Sequence, residues 1–233
     1  QMIPRKYLDD QYVLYADADE FLLLPDPYQC LEELYLKLSA SEINAVSASL
    51  LELYPQNLQE LEKVSAPMSL DEMIGLYPFY DHRQLVKFGT LKRLKQVNPS
   101  PTHRLLEQHH IKSTSWMRRL AGRRSAYVLH KTPIFKNSPQ NWLIGSHHSL
   151  LRSSRRILLC LLHMKWTHDL HRKTRMALEL GSYAKNSERY QNYAKLFSLA
   201  AASEEGLNMT IKESRPLLSA NQLIDAGLMV NAL

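Results

Sequence analysis

Apolar residues recur along this chain with two periods, and those periods sort it into strands and helices. Residues 12–16 form a short unbroken apolar run and predict a buried strand, and residues 21–24 predict a second. Asp26-Pro27 predicts a helix start, with Asp as the cap and Pro in the first turn. That helix should run to about Leu38, with Leu31, Leu34, Tyr35 and Leu38 on one face. Ile43–Leu53 predicts a strand, Ser69 and Glu72 predict a capping box, and Leu85–Phe88 predicts a further strand. The Pro99–Pro101 pair predicts that residues 91–126 form loop with short turns. Tyr127–Leu129, Trp142–Ile144 and Ile157–His163 predict strands. Asp169–Leu180 and Glu188–Ala202 predict helices, followed by a tail with one short helix near Ala220–Ala226. No repeat of fixed period is present. Strands mixed with helices through residue 165, closed off by helices, predict an α/β fold.

Composition leaves this picture standing and adds an asymmetry. With 233 residues, 45% hydrophobic and 22% charged, the chain can bury a core of ordinary globular kind. Its longest apolar run, Ile157–Leu162, is too short to span a bilayer. Residues 1–90 carry 6 Lys/Arg against 15 Asp/Glu, whereas residues 91–175 carry 18 against 2. An acidic part fit for a cation therefore precedes a basic part fit for an anion. Cys30 lies in a helical pattern and Cys160 in a strand pattern, so both read as small core hydrophobes. Two such thiols without metal spacing predict a reducing, cytoplasmic setting. The chain opens on Gln1, just before a core strand, which predicts a fragment whose N-terminal part is missing.

The segment Tyr12–Pro25 changes the picture most. Asp17, Asp19 and Glu20 are wedged between two apolar runs. Carboxylates there are costly without compensation, and a divalent cation with a phosphate-bearing ligand would supply it. At the end of a strand the i, i+2 spacing places Asp17 and Asp19 on one side, where two oxygen ligands suit Mg²⁺ or Mn²⁺. Glu20 should face elsewhere. Near the other end of the chain, His163 and Lys165 share a side after an apolar run. His163 could be a third metal ligand and Lys165 a point charge for phosphate. Arg118, Arg119, Gly122, Arg123, Arg124 and Lys131-Thr132-Pro133 form a basic stretch, of which Arg119 and Lys131 are the candidate phosphate contacts. Of His147 and His148, adjacent on a strand, at most one faces a site. His168 and His171 read as helix-surface residues. No GxSxG elbow, Gly-rich phosphate loop or CxxC pair is present.

Taken in order, these segments resemble bacterial family-2-like glycosyltransferases with the GT-A-type fold. Tyr15-Ala-Asp17-Ala-Asp19-Glu20-Phe21 resembles their Asp-x-Asp-Glu-Phe metal motif. Met117–Leu120 resembles an Arg-x-Arg-Phe-type segment, with Leu120 replacing the aromatic. His130–Ile134 resembles a Lys-x-Pro-Leu segment, Ser146–His148 a Ser-x-His stretch and Leu161–Lys165 a Leu-Leu-His-Phe-Lys motif. A basic helix with Tyr190 and Tyr193 follows. The resemblance covers about residues 10–195, and its specificity lies in the ordered set.

The resemblance implies a mixed sheet flanked by helices, lacking its N-terminal nucleotide-binding strands, over residues 1–166. Residues 167–233 would be a helical extension packed on it. It also implies metal-dependent transfer of a sugar from a nucleotide-diphosphate sugar to an acceptor hydroxyl, with inversion. Asp17, Asp19, Glu20, Lys165, Arg119 and Lys131 would bind the donor, Asp19, Asp17 and His163 the Mn²⁺ or Mg²⁺, and His147 would lie on the acceptor side. Asp81, which ends an aromatic, Pro-bent segment, is the candidate general base. The acceptor would be a glycan or a lipid-linked or protein hydroxyl, with a peripheral contact at the inner face of the membrane. The missing N-terminal strands would hold the base of the donor nucleotide, so the resemblance implies full activity for the full-length protein and leaves that of this truncated chain open.

Three rival readings stand beside this one. A metal-dependent phosphohydrolase or nuclease would use the same acids with a second metal about 4 Å away. A non-catalytic module would bind nucleic acid or an anionic membrane through residues 91–175. An inactive remnant of the transferase is the third.

Overall fold

The computed structural model describes residues 7–63, 68–89, 94–111, 128–139, 152–181 and 187–233. Its centre is a six-stranded mixed sheet, ordered β1 (Tyr12–Leu14), β7 (His130–Lys136), β3 (Ala45–Glu52), β8 (Ile157–His163) and β10 (Val230–Asn231). Strand β2 (Glu20–Leu23) pairs with the far half of β8, so β2 and β10 share its outer side. The pair β3·β8 is parallel, from Ser47 beside Leu158 to Glu52 beside His163, and the other pairs of this sheet are antiparallel. The molecule is thus a mixed α/β protein.

Helices cover both faces of the sheet, which explains why β3 is buried along its whole length. Alternate residues of β8 go to opposite cores. Ile157, Leu159 and Leu161 pack with Val46, Ala48 and Leu50 against Leu34 and Leu38 of α1 (Leu31–Ala40). Leu158, Cys160 and Leu162 face the larger core with Trp166, Tyr193 and Leu196. Tyr193 and Leu196 belong to α5 (Glu188–Ala201), which lies beside α4 (Asp169–Leu180). The period-2 pattern of β8 therefore ties the front of the chain to its helical end.

Outside this sheet, α2 (Leu70–Leu76) opens on the expected Ser69–Glu72 capping box. Strands β4 (Phe79–Asp81) and β9 (Ser214–Pro216) pair, as do β5 (Val86–Phe88) and β6 (Leu94–Gln96). A 3₁₀ turn spans Leu58–Lys63, and α6 spans Ala220–Asp225. No helix of the described residues is long and apolar enough to cross a membrane.

Five expectations need correction. Asp26-Pro27 forms a turn with a cis peptide, closed by Tyr28 N–H on the Pro25 carbonyl at 3.1 Å, and the helix begins only at Leu31. Cys30 caps that helix and is exposed, so it is not a core hydrophobe. The Pro99–Pro101 pair does not break structure. Ser100 caps helix α3 (Pro101–Gln108), and Pro101 fills its first turn, where the missing N–H costs nothing. The strand expected at Tyr127–Leu129 begins at His130, which makes Lys131 a strand residue. The C-terminal tail supplies β9 and β10 as well as a helix, because both edges offer unpaired backbone groups for it to join. The strand expected at Trp142–Ile144 lies outside the described residues.

Candidate functional site

β1 pairs with β7 and β2 with β8, on opposite sides of β3, so the link Tyr15–Asp19 crosses the sheet. Asp17 and Asp19 lie in that link, beyond the end of β1. They do not share a side by strand alternation. They go to different partners instead. Asp17 Oδ2 accepts from Lys131 Nζ at 2.6 Å, and Glu20 Oε2 accepts from the same Nζ at 2.7 Å. Glu20 also accepts the Asp17 backbone N–H at 3.0 Å, and the Glu20 N–H returns to the Asp17 carbonyl at 3.0 Å. Glu20 therefore does not face away from Asp17, because the turn folds it back onto the same lysine.

Lys131 is 1% exposed. Burial pulls its pKa down, but hydrogen bonds to Asp17 and Glu20 outweigh burial and hold it above the ordinary lysine value. Two carboxylates on one buried ammonium leave net negative charge beside the link.

Asp19 meets His163. Its Oδ2 lies 3.5 Å from His163 Nε2, and its carbonyl accepts the Met164 N–H at 2.9 Å. The hydrogen bond from His163 lowers the Asp19 pKa against the opposing effect of partial burial. Asp19 is 43% exposed and His163 23%, and Asp17 is about as open as Asp19 at 45%, so both aspartates reach solvent while Lys131, Glu20 and Glu52 are buried. The sheet register sets His163 between Glu20 on β2 and Glu52 on β3.

Glu52 is the residue that reading the sequence passed over. It is buried at the end of β3. Its Oε1 lies 3.1 Å from Lys165 Nζ, and its Oε2 accepts the Thr102 N–H at 3.0 Å and the Thr102 hydroxyl at 2.5 Å. Lys165 Nζ also donates to Thr102 Oγ1 at 2.7 Å and sits 5.4 Å from the Tyr193 ring centre. Burial raises the Glu52 pKa, but Lys165, His163 and Thr102 together bring it down to about 2. The signal was available: Glu52 sits between Leu51 and Leu53, just as Asp17 to Glu20 sit between apolar runs.

Asp81 stands in a separate buried cluster. Its Oδ1 accepts the Tyr54 hydroxyl at 2.5 Å and Arg104 Nη2 at 3.3 Å. Its Oδ2 accepts Arg83 Nη2 at 3.1 Å and Arg104 Nε at 3.3 Å. Helix α3 links the clusters, since Thr102 holds Glu52 and Arg104 holds Asp81. His171 packs its ring on Phe197 with centres 4.5 Å apart. Arg118, Arg119, Gly122, Arg123, Arg124, His147 and His148 lie outside the described residues.

The structure therefore brings together Asp17, Glu20 and Lys131, then Asp19 and His163, then Glu52 and Lys165, around the carboxyl ends of the parallel pair. In open α/β sheets that end is where ligands bind. Among the described residues no group of three or more His, Cys, Asp or Glu side chains is gathered to hold a metal ion. Asp17, the third expected ligand, is held by Lys131. No protein-family model matches the chain, and neither a curated protein nor a solved structure matches it.

Proposed function

We propose that this chain belongs to a metal-dependent glycosyltransferase that moves a sugar from a nucleotide-diphosphate donor to an acceptor hydroxyl with inversion. The observation that carries the reading is the part-exposed Asp19–His163 pair at the end of β8, flanked by Lys131 and Lys165 in carboxylate-bound positions. The ordered resemblance of the motifs supports it, and so does the meeting of Asp17–Glu20, Lys131 and His163–Lys165 at one end of the sheet.

The residues fit a divalent cation that completes its shell from elsewhere. Mg²⁺ and Mn²⁺ commonly take one or two protein ligands and fill the rest with phosphate oxygens and water. Asp19 offers an exposed oxygen with a lowered pKa, and His163 offers a ring nitrogen beside it. The bound cation would supply positive charge for the departing diphosphate. Lys131 anchors Asp17 and Glu20, which fixes the link that carries Asp19. Glu52 and Thr102 hold Lys165 at the same end, where its ammonium adds to the field on a diphosphate. Asp81 could accept a proton from the acceptor only after giving up a bond to Tyr54, Arg83 or Arg104.

Mn²⁺ binding followed by electron paramagnetic resonance, with UDP or GDP present, tests this reading. The free Mn²⁺ signal should fall on adding the chain with nucleotide and persist with Asp19→Ala. Nucleotide binding of equal strength with and without a chelator would count against it, as would tight DNA binding that ignores Asp19→Ala.

A further inference from the structure

The cluster at the carboxyl ends of β3 and β8 carries an excess of negative charge. Four carboxylates, Asp17, Asp19, Glu20 and Glu52, stand against two ammonium groups, Lys131 and Lys165. As a metal ligand His163 is neutral and adds nothing to that balance. Both ammonium groups are already engaged. Lys131 Nζ lies 2.6 Å from Asp17 and 2.7 Å from Glu20, and Lys165 Nζ lies 3.1 Å from Glu52. Turning either toward a ligand would leave a buried carboxylate uncompensated, which is costly. A divalent cation would balance the excess, but a diphosphate then brings negative charge of its own. The charge that meets it has to come from a side chain outside these pairs, close to Asp19 and open to solvent.

Helix α4 supplies one. The link Met164–His168 joins it to β8 and is tied at both ends. The Met164 N–H donates to the Asp19 carbonyl at 2.9 Å, and the His168 N–H to the Tyr77 hydroxyl at 3.3 Å. The helix therefore starts beside the site. Its residues His171, Thr174, Arg175 and Leu178 turn toward α5 and the 3₁₀ turn. At about 100° per residue, Asp169 and Lys173 fall on the other flank. Asp169 is engaged by Arg172 at 3.0 Å. Lys173 is exposed and makes no ion pair among the described residues. The hydrogen bond from His163 is the chief cause of the lowered Asp19 pKa, burial opposes it, and the charge of Lys173 adds to it. Lys173 thus stands within electrostatic reach of Asp19 while no carboxylate holds it.

We propose that Lys173 is a donor-binding residue, whose ammonium pairs with the diphosphate beside Asp19 and His163. The assignment rests on the sugar-transfer reading and gives it the free cation that Lys131 and Lys165 do not offer. It has a signature of its own. A positive charge that attracts a diphosphate also repels a bare metal ion at the same place. Removing it should therefore shift the two affinities in opposite directions, which a loss of structure does not imitate.

Titration of the full chain with Mn²⁺ alone, and with UDP at saturating Mn²⁺, tests this. Lys173→Met should bind Mn²⁺ alone about two-fold tighter. It should bind UDP about ten-fold more weakly, the loss expected for one charge-assisted hydrogen bond. Lys173→Arg should bind both as the wild type does. Arg172→Gln, one residue away on the same helix but engaged by Asp169, should keep its UDP affinity within about two-fold. Wild-type UDP affinity in Lys173→Met, weakening of both ligands together, or an equal loss in Arg172→Gln would overturn the proposal and leave the sugar-transfer reading standing. A wild-type chain that binds no UDP with Mn²⁺ present would overturn both.

Discussion

Glu52 and His163 stand side by side at the ends of the parallel strands β3 and β8, and Lys165, two residues beyond His163, turns back onto Glu52 at 3.1 Å. One buried carboxylate thus fixes the lysine that the motif presents. Glu52→Gln should keep the hydrogen bonds from Thr102 but lose the charge. Its effect should vary with pH. The Glu52 pKa of about 2 lies below the ordinary carboxylate value, so its stabilisation is present above the unfolded value and fades as pH falls toward 2. Urea unfolding should show wild type and variant well apart at neutral pH and converging as pH falls from about 4.5 to about 2, between the ordinary and folded values. A gap independent of pH would contradict this assignment.

Lys131 is buried between two carboxylates, and removing it leaves both uncompensated. Lys131→Met should destabilise the fold by about 3 kcal/mol, the scale of breaking a buried ion pair from one side. Because Asp17 is half-exposed, most of that loss belongs to Glu20. The double variant Lys131→Met/Glu20→Gln should recover part of it. Denaturant midpoints of the three chains measure this.

His163→Gln should let the Asp19 pKa rise toward the ordinary aspartate value, since the imidazole hydrogen bond is the chief cause of its lowering. Carboxyl carbon shifts followed by NMR across acid pH report that value directly. Stability should change by about 1 kcal/mol, because the pair is long, at 3.5 Å, and still reaches solvent.

Asp81→Asn should cost about 3 kcal/mol, because it strips the charge from a carboxylate that holds two guanidiniums and a tyrosine hydroxyl. If Asp81 were instead a free base waiting for an acceptor, the same variant would lose turnover with its unfolding midpoint unchanged.

The parts of the fold that were legible in the sequence are those with a strong single period. Ile157–His163 is a strand at the expected residues because its apolar run is unbroken, and Asp169–Leu180 is a helix because its pattern holds for three turns and ends on Gly181. Helix α3 was hidden because Pro101 reads as a breaker unless Ser100 before it is recognised as the cap. The site was half legible. Acids and bases inside apolar runs pointed to Asp19, Lys131, His163 and Lys165, and Glu52 carried the same signal. Partner choice was not legible. That Asp17 goes to Lys131 while Asp19 goes to His163 depends on how the link Tyr15–Asp19 crosses the sheet, which no local pattern encodes.

The central claim, that Asp19 and His163 form one metal-diphosphate site, is met most directly by paramagnetic broadening. With Mn²⁺ and a nucleoside diphosphate, the His163 ring resonances should vanish in the wild type and persist in Asp19→Ala. A His163 signal that stays sharp in the wild type under saturating Mn²⁺ and nucleotide would contradict it.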